Sequence, residues 1–403
     1  MESLRQHFTG VAYKYLSGVD TSASGTSNQH EIGSNKLINI LGNPDMTIAR
    51  FDGEFLYLDD DDAGEPLRAS GRLTWYDPRR KTNRKGEEYR LYYPNNAVTS
   101  RMLEGDFCIF AKQPSNTVWV VIAPKGSTAE RQLRWLFDID AMPSDDELKV
   151  QKVDIDRAVS MAEAMILESL GLEVRLDDET WLNKLTKKFG LVFPKTATFS
   201  SFARRTCKPK VDPLIDPDGA LIAWMEHEEV LFRTLEREIV QKQLDLGFES
   251  VDHFVDFSLS VQNRRKSRVG YALEHHLAAV FEAHQLPFER QVVTENRSKA
   301  DFLFPGKAEY HDSLYPEVKL IMLASKSSCK DRWRQVLAEA ARVKRKHLLT
   351  LEPAISTHQT NEMENYNLQL VVPRKVMPTY TANQQEWLMD IGSYISFVRA
   401  SNN

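Results

Sequence analysis

Three side chains suited to metal-assisted hydrolysis lie close to short apolar segments in the last third of the chain. Asp301 lies in a short segment of strand character, and Lys326 follows the apolar run 320–324, which has the length of a buried strand. Glu339 falls in the segment 331–343, where apolar or small residues recur at helical spacing. We therefore expect Asp301 and Lys326 at strand ends and Glu339 on the helix that follows.

Two acids and a lysine can together catalyse the hydrolysis of a phosphodiester bond. Two carboxylates can hold Mg²⁺, which prefers oxygen ligands and completes its shell with water and substrate phosphates. A nearby lysine can orient the attacking water or neutralise developing charge. Taken alone, however, such spacing is weak evidence for a catalytic site, and a solvated junction between a strand and a helix explains it better.

Further elements of the second half predict an α/β core. Helical spacing covers 221–246, two buried strands are expected at 347–351 and 368–373, and a closing helix is expected at 384–398. Strands that alternate with helices predict a central mixed sheet with helices packed on it.

The first half instead alternates short strands with turns. Strands are expected at four segments: 47–51, 72–76, 107–110 and 117–122. This pattern predicts a small β-barrel or sandwich. Helices are expected to begin after Ser127 and to cover 156–170. The acidic run 59–62 is interpreted as a solvated turn, since no ligand spacing is imposed on it.

Composition excludes several classes of protein. The chain has 403 residues, 52 Lys and Arg against 57 Asp and Glu, and a net charge of −5. Its three cysteines are widely separated, which argues against a disulfide framework and a structural zinc site. No leader and no apolar run of membrane-spanning length is visible, so we expect a cytoplasmic protein with no membrane partner.

Three stretches resemble the catalytic domain of the EcoRII-type restriction endonucleases: 263–268, 301–312 and 326–335. The resemblance covers about 190–400 and implies a nuclease of the PD-(D/E)xK type. It implies that Asp301 and Glu339 bind Mg²⁺ and that Lys326 is the catalytic lysine. Glu274 resembles an additional acid on an earlier helix.

The same half offers candidate DNA contacts, some from the residues and some from the resemblance. Four cations expected at a helix start favour phosphate binding: Arg264, Arg265, Lys266 and Arg268. The resemblance implies that Lys330, Asp331 and Arg332 read outer CC and GG pairs. Trp224 could stack on an extruded base, although an ordinary packed aromatic is the better interpretation.

Two stretches of the first half, 24–33 and 77–90, resemble the recognition arms of the EcoRII effector domain, which is a pseudobarrel. The candidate DNA contacts carried over are His30, Arg84, Lys85, Glu88 and Arg90. We accordingly predict an effector domain at 1–170, a connection at 171–188 and a catalytic domain at 189–403.

The combined prediction is a Mg²⁺-dependent, type II site-specific deoxyribonuclease of bacterial or archaeal origin that cuts double-stranded DNA at a CC/GG-flanked site. The resemblance implies a homodimer whose effector domain binds a second copy of the target. Two alternatives stay open: a DNA-binding regulator that does not cleave, and a nuclease directed by modified or mismatched bases.

Overall fold

The protein divides into two compact units. The structure is a computed structural model that describes residues 3–21, 30–44, 47–60, 66–79, 86, 88–140, 147–153, 159–172, 174, 176–329 and 332–402. The first unit comprises Glu2–Val159 and Glu163–Val174, and the second comprises Ser160–Ala162 and Arg175–Asn403. The functional names given above to the two halves stay predictions.

The first unit is built on one sheet of eight strands. The strands are β1 (Gly10–Tyr15), β2 (Glu31–Gly33), β3 (Ile48–Tyr57), β4 (Leu67–Tyr76), β5 (Arg90–Tyr92), β6 (Phe107–Lys112), β7 (Thr117–Ala123) and β8 (Lys149–Lys152). They are ordered β2-β5-β4-β3-β7-β6-β1-β8, and only the β3–β7 pair is parallel among the described ladders of this sheet. The four strands predicted from the sequence are confirmed as β3, β4, β6 and β7. That this sheet forms a pseudobarrel stays a prediction.

The helices of the N-terminal half are short. They are α1 (Leu4–His7), α2 (Ile38–Leu41), α3 (Thr128–Leu136) and α4 (Met161–Ser169). Ser127 caps α3 as its position predicts, by accepting from the Glu130 backbone N–H at 3.0 Å. The Asp60 carboxylate also accepts from the first amides of α3, at 2.8 Å from Thr128. This part of the acidic run therefore completes a helix terminus.

The second unit contains the predicted mixed sheet. Its five strands are β9 (Glu289–Val293), β10 (Lys299–Phe304), β11 (Ile321–Lys326), β12 (Lys346–Thr350) and β13 (Leu368–Val371). They are ordered β13-β12-β11-β10-β9, with parallel pairs from β11 to β13 and antiparallel pairs from β9 to β11. Large aromatic side chains fill the core at this sheet: Phe281, Phe302 and Phe304 are fully buried, and Phe281 contacts both of the others.

Nine helices of the second unit pack around this sheet or extend from it in the described part of the chain. They are α5 (Leu182–Phe189), α6 (Thr196–Thr206), α7 (Pro217–Leu246), α8 (Val251–Ala283), α9 (Lys307–His311), α10 (Trp333–Val336), α11 (Thr357–Asn365), α12 (Ala382–Trp387) and α13 (Ile391–Asn402). Gly247 ends α7 as predicted, and Ser250 caps α8. No helix among the described residues is long and apolar enough to cross a membrane.

One expectation about these helices is wrong, and the connection at 171–188 stays a prediction. The end of the segment 171–188 is helical, since α5 begins at Leu182 and buries Leu185 against Leu231 and neighbouring apolar side chains. The closing helix is two helices, because the segment between α12 and α13 makes strand-like contacts: Val372 and Met389 share a backbone hydrogen bond of 2.8 Å.

Candidate active site

Asp301 and Lys326 meet because their strands are neighbours in the sheet. Strands β10 and β11 run antiparallel, with Phe302 opposite Leu323. The Lys326 ammonium donates to Asp301 Oδ2 at 3.1 Å, and the Ser325 backbone N–H donates to the same oxygen at 2.8 Å. Asp301 is only 6% exposed, so this ion pair is largely shielded from water. Lys326 is the last residue of β11, as the sequence predicts.

Glu339 approaches this pair from a loop, and its predicted helical position is wrong. Helix α10 ends at Val336, and Glu339 lies at a bend three residues later. Ala340 follows with a φ of 45°, in the left-handed region that ends a helical path. The Lys346 ammonium donates to the Ala340 carbonyl at 3.0 Å, so the start of β12 fixes the loop that carries Glu339.

The negative charge of the Glu339 carboxylate has few stabilising contacts. Its Oε2 atom is buried and has no hydrogen-bond partner within the described part of the chain. Burial raises the pKa of Glu339 to about 7, and the negative charge of Asp301 adds to that increase. The charges of Lys326 and Lys346 oppose it only in part. An acid with a raised pKa beside a second acid is an arrangement that a bound cation would relieve.

Glu274 joins the cluster from helix α8, where the sequence predicts it. Its Oε2 accepts from Arg290 Nη2 at 3.2 Å and from Gln291 Nε2 at 3.0 Å. Burial raises the pKa of Glu274, and the charge of Asp301 raises it further. Glu274 and Glu339 thus each lie within electrostatic reach of Asp301, and we call these three acids the carboxylate cluster. Arg290 and Lys326 are the cations in direct contact with it.

Gln291 links two of these carboxylates and is not visible as a site residue in the sequence. The same amide nitrogen that donates to Glu274 also donates to Asp301 Oδ1, at 3.1 Å. The pairing of Phe302 with Arg290 places Gln291 opposite Asp301 across the two strands. Its φ of 53° is unusual for a residue other than glycine, and such conformations cluster at functional sites. A glutamine in a short strand carries no distinctive spacing that would have revealed it.

The donors present suit a hard, oxygen-preferring cation. Asp301 and Glu339 supply two carboxylates, and the unpartnered buried oxygen of Glu339 is the feature that a cation would satisfy. No group of three or more His, Cys, Asp or Glu is arranged as a metal cage in the residues that the structure describes. A pair of carboxylates of this kind fits a hard cation that takes few protein ligands and keeps water or phosphate oxygens.

The four cations at 264–268 do not lie at a helix start, so the helix-dipole argument for them is wrong. They fall in the middle of α8, which begins 13 residues earlier at Val251. Arg268 is only 4% exposed and pairs with Glu229, with Glu228 at 3.6 Å. A guanidinium held this way has no free face for a phosphate.

The other three cations of this group differ in their surroundings. Arg265 donates to Glu236 at 2.7 Å from Nε, whereas Lys266 is exposed. The guanidinium of Arg264 lies 4.4 Å from the centre of the Phe193 ring and is also exposed. As phosphate contacts, Arg264 and Lys266 are therefore the two that the structure leaves open to solvent.

The structure describes two of the four remaining DNA-contact candidates of this unit, Trp224 and Arg332. Trp224 is 8% exposed and packs against His276, with ring centres 5.8 Å apart, which agrees with the packing interpretation. Its role in base stacking stays a prediction. Lys330 and Asp331 lie outside the described residues, and Arg332 is exposed.

The first unit brings several of its candidates together. Arg90 donates to Glu31 at 2.8 Å and to Glu88 at 2.6 Å, so both acids raise the pKa of its guanidinium. His30 has a buried Nδ1 atom and lies edge-on to Tyr93, with ring centres 5.4 Å apart. Arg84 and Lys85 lie outside the described residues.

The comparisons with known proteins concern the second unit. Residues 232–395 match the family model described as EcoRII C terminal. This part of the chain is therefore similar to the EcoRII C-terminal domain. Over 183 residues it is 42% identical to the type II restriction enzyme EcoRII of Escherichia coli, and the match covers 45% of this chain and 45% of that enzyme. The chain thus matches less than half the length of this curated relative.

Two solved structures are more distantly similar. Metal-depleted Ecl18kI in complex with uncleaved DNA has 17% identity and a TM-score of 0.46, covering 56% of this chain and 83% of that one. The restriction endonuclease PspGI in a complex with substrate DNA has 15% identity and a TM-score of 0.43, covering 54% and 95%.

Proposed function

We propose that this protein is a Mg²⁺-dependent, site-specific endonuclease that hydrolyses phosphodiester bonds of double-stranded DNA. The observation that carries the proposal is the meeting of Asp301 and Lys326 with Glu339, whose buried Oε2 lacks a partner among the described residues. The EcoRII C-terminal domain supports the same reaction class, because its E. coli relative is a type II restriction enzyme.

Each side chain has a definable task in this reaction. Asp301 and Glu339 would hold Mg²⁺, which when bound supplies a Lewis acid and lowers the pKa of a coordinated water. Lys326, fixed by its contact with Asp301, can orient a water or neutralise charge that develops on the phosphate. Gln291 holds Glu274 and Asp301 in fixed positions through one amide group. The products would carry 5′-phosphate and 3′-hydroxyl ends.

The test is digestion of plasmid and phage DNA with purified full-length protein in Mg²⁺ and in EDTA, followed by sequencing of the ends. Lys326→Ala is compared with Lys344→Ala, which removes an exposed lysine of the same unit. Discrete, Mg²⁺-dependent fragments that vanish only with Lys326→Ala support the proposal. Cleavage that persists in Lys326→Ala would remove that lysine from the mechanism.

We propose further that the target is flanked by CC and GG, read by Lys330, Asp331 and Arg332, and that the active form is a homodimer. A two-fold symmetric enzyme suits a near-palindromic site. Sequenced ends test the target, and sedimentation of the protein with and without target duplex tests the dimer. An unrelated cleavage site would end the CC/GG assignment.

The first unit is proposed to bind a second copy of the target and to control the nuclease. His30, Glu88 and Arg90 are its described candidate contacts. The test compares cleavage rates of plasmids that carry one and two sites, since coupling between sites must appear as a rate difference. Equal rates would refute the effector role.

The alternative is a regulator that binds DNA without cutting it. Such a protein would need basic surfaces but no alignment of Asp301, Lys326 and Glu339. Binding without cleavage, in both Mg²⁺ and Mn²⁺ and with several target copies, would favour it. A nuclease directed by modified bases would instead cut modified plasmid and spare the unmodified one.

A further inference from the structure

A cavity lined by cationic side chains lies between helices α5 and α6, apart from the carboxylate cluster. It is an open cavity of about 540 Å³. We call it the basic pocket, and it is lined by Trp181, Lys184, Lys187, Lys188, Phe202, Arg205, Thr206 and Lys208. Five of these eight side chains are cationic and none is acidic.

The cations of the basic pocket have no carboxylate partner among the residues that the structure describes. Two of them instead lie over aromatic rings: Lys184 Nζ is 4.3 Å from the centre of the Trp181 ring, and Lys188 Nζ is 5.6 Å from that of Phe202. Crowding like charges on a surface destabilises the folded protein, and it is notable here because the whole chain has a net charge of −5. A polyanion would remove this repulsion.

The aromatic wall of the basic pocket is fixed in place. Trp181 packs edge-on against His227, with ring centres 5.0 Å apart. His227 Nε2 is in turn 2.9 Å from Thr206 Oγ1, and burial lowers the pKa of this histidine, so it adds no charge at neutral pH. The wall therefore presents an indole ring beside ammonium groups, a combination that suits nucleotides, since bases stack on aromatic rings while cations hold their phosphates.

The basic pocket is separated from the carboxylate cluster by the length of helix α6. At the start of that helix, Thr196 Oγ1 is 3.2 Å from His275 Nε2, next to Glu274 in the chain. Phe202 and Arg205 lie near the other end of α6, about 9 and 14 Å along the axis from Thr196 at about 1.5 Å per residue. This distance corresponds to about three or four nucleotides of a strand, at about 3.4 Å per phosphate.

We propose that the basic pocket binds phosphates of a DNA strand outside the segment that the carboxylate cluster cuts. The proposal rests on DNA being the substrate, as proposed above, but it adds a binding site that contributes affinity rather than chemistry. Because phosphate contacts release counterions, this site must contribute to the salt dependence of binding. A free nucleotide offers the same phosphate and base chemistry, and the experiment separates the two sources.

The experiment measures duplex binding by full-length protein in EDTA, where cleavage is not required. A labelled duplex of roughly three helical turns is titrated at several salt concentrations with wild-type protein and with Lys184→Gln/Lys187→Gln. The control, Lys307→Gln/Lys375→Gln, removes the same charge from exposed lysines of the same unit. Thermal unfolding of all three proteins verifies folding, which exposed lysines should not disturb. Deoxyadenosine monophosphate is titrated separately with the same proteins.

We expect the pocket variant to flatten the plot of log K against log salt by about 2 and the control to leave it unchanged, since each lost phosphate contact removes about 0.9 from the slope. Equal slopes in the pocket and control variants would overturn the proposal. Micromolar binding of the mononucleotide that the pocket variant abolishes, with an unchanged duplex slope, would also overturn it and assign the pocket to free nucleotides. This experiment measures binding without cleavage, so failure of the nuclease assignment would appear only in the DNA digestion described above.

Discussion

Replacing Glu339 by glutamine should stabilise the metal-free protein while it abolishes cleavage. The ordinary pKa of this carboxyl is 4.5, and the fold raises it to about 7. At about 1.4 kcal/mol per pKa unit, the difference corresponds to about 3 kcal/mol of folding free energy. Glutamine keeps the shape of the side chain and carries no charge at any pH.

The sign of the effect follows from which state binds the proton more tightly. The folded protein does, so wild-type stability falls as the pH rises from about 4.5 to about 7 and stays at its lower value above that. Glu339→Gln does not titrate here, so we expect it to exceed the wild type by up to about 3 kcal/mol at about pH 8. The two proteins should converge as the pH falls towards about 5.

The assay is urea and thermal unfolding in EDTA at both pH values, with Glu386→Gln as the control at an exposed position of the same unit. For a unit of this size, about 3 kcal/mol corresponds to a melting shift of several degrees. Adding Mg²⁺ should raise the wild-type midpoint more than that of Glu339→Gln, because a ligand stabilises the state that binds it. A Glu339→Gln protein that is less stable than the wild type at about pH 8 in EDTA would refute the reasoning.

Three other outcomes are expected. Asp301→Asn should lower the cleavage rate by at least about 100-fold with duplex binding in EDTA preserved, and loss of both would show a folding defect instead. Gln291→Ala should lower kcat by about 10–100-fold at saturating DNA, because it frees two carboxylates, and an unchanged kcat would remove its positioning role. Arg268→Met should cost about 1–3 kcal/mol in urea unfolding, because buried Glu228 loses a nearby cation and Glu229 keeps only Arg233, and an unchanged free energy of unfolding would contradict this pairing.

The two strands of the site could be predicted because local pattern determines them, although Asp301 is the third residue of β10 and not at its end. The apolar run before Lys326 and the short segment around Asp301 are long enough for buried strands, and both strands are present. Their adjacency is a property of the assembled sheet, so the local pattern predicts the two strands but not the contact between the two side chains. Here local sequence and tertiary structure agree.

The position of Glu339 could not be predicted because distant contacts override the local pattern. The segment 331–343 has helical apolar spacing, yet the helix stops at Val336. The chain is then held by Lys346, which donates to the carbonyls of Ala340 and Val343, and by Thr294, which accepts from the Ala340 backbone N–H. Of these contacts, the one with Thr294 joins residues 46 positions apart, so the local pattern does not reveal it.

The ion pairs formed by the arginines of α8 could not be predicted from the local sequence either. Arg268 pairs with Glu229, which lies 39 residues earlier on α7, and Arg265 pairs with Glu236, 29 residues earlier. A basic run in the sequence does not reveal acids that a neighbouring helix will bring to it. For this reason a run of four cations yields only two that are open to DNA.

The carboxylate cluster is best understood as a site that folding leaves electrostatically incomplete. Burial and the charge of Asp301 raise the pKa values of both Glu274 and Glu339. The adjoining cations, Lys326 and Arg290, contact Asp301 and Glu274 but leave Glu339 Oε2 without a partner in the described part of the chain. A protein selected for stability alone would lose free energy by keeping this acid, whereas a protein that must bind a cation at this point gains by it. The cost predicted for Glu339 and its proposed role in hydrolysis therefore have one physical origin.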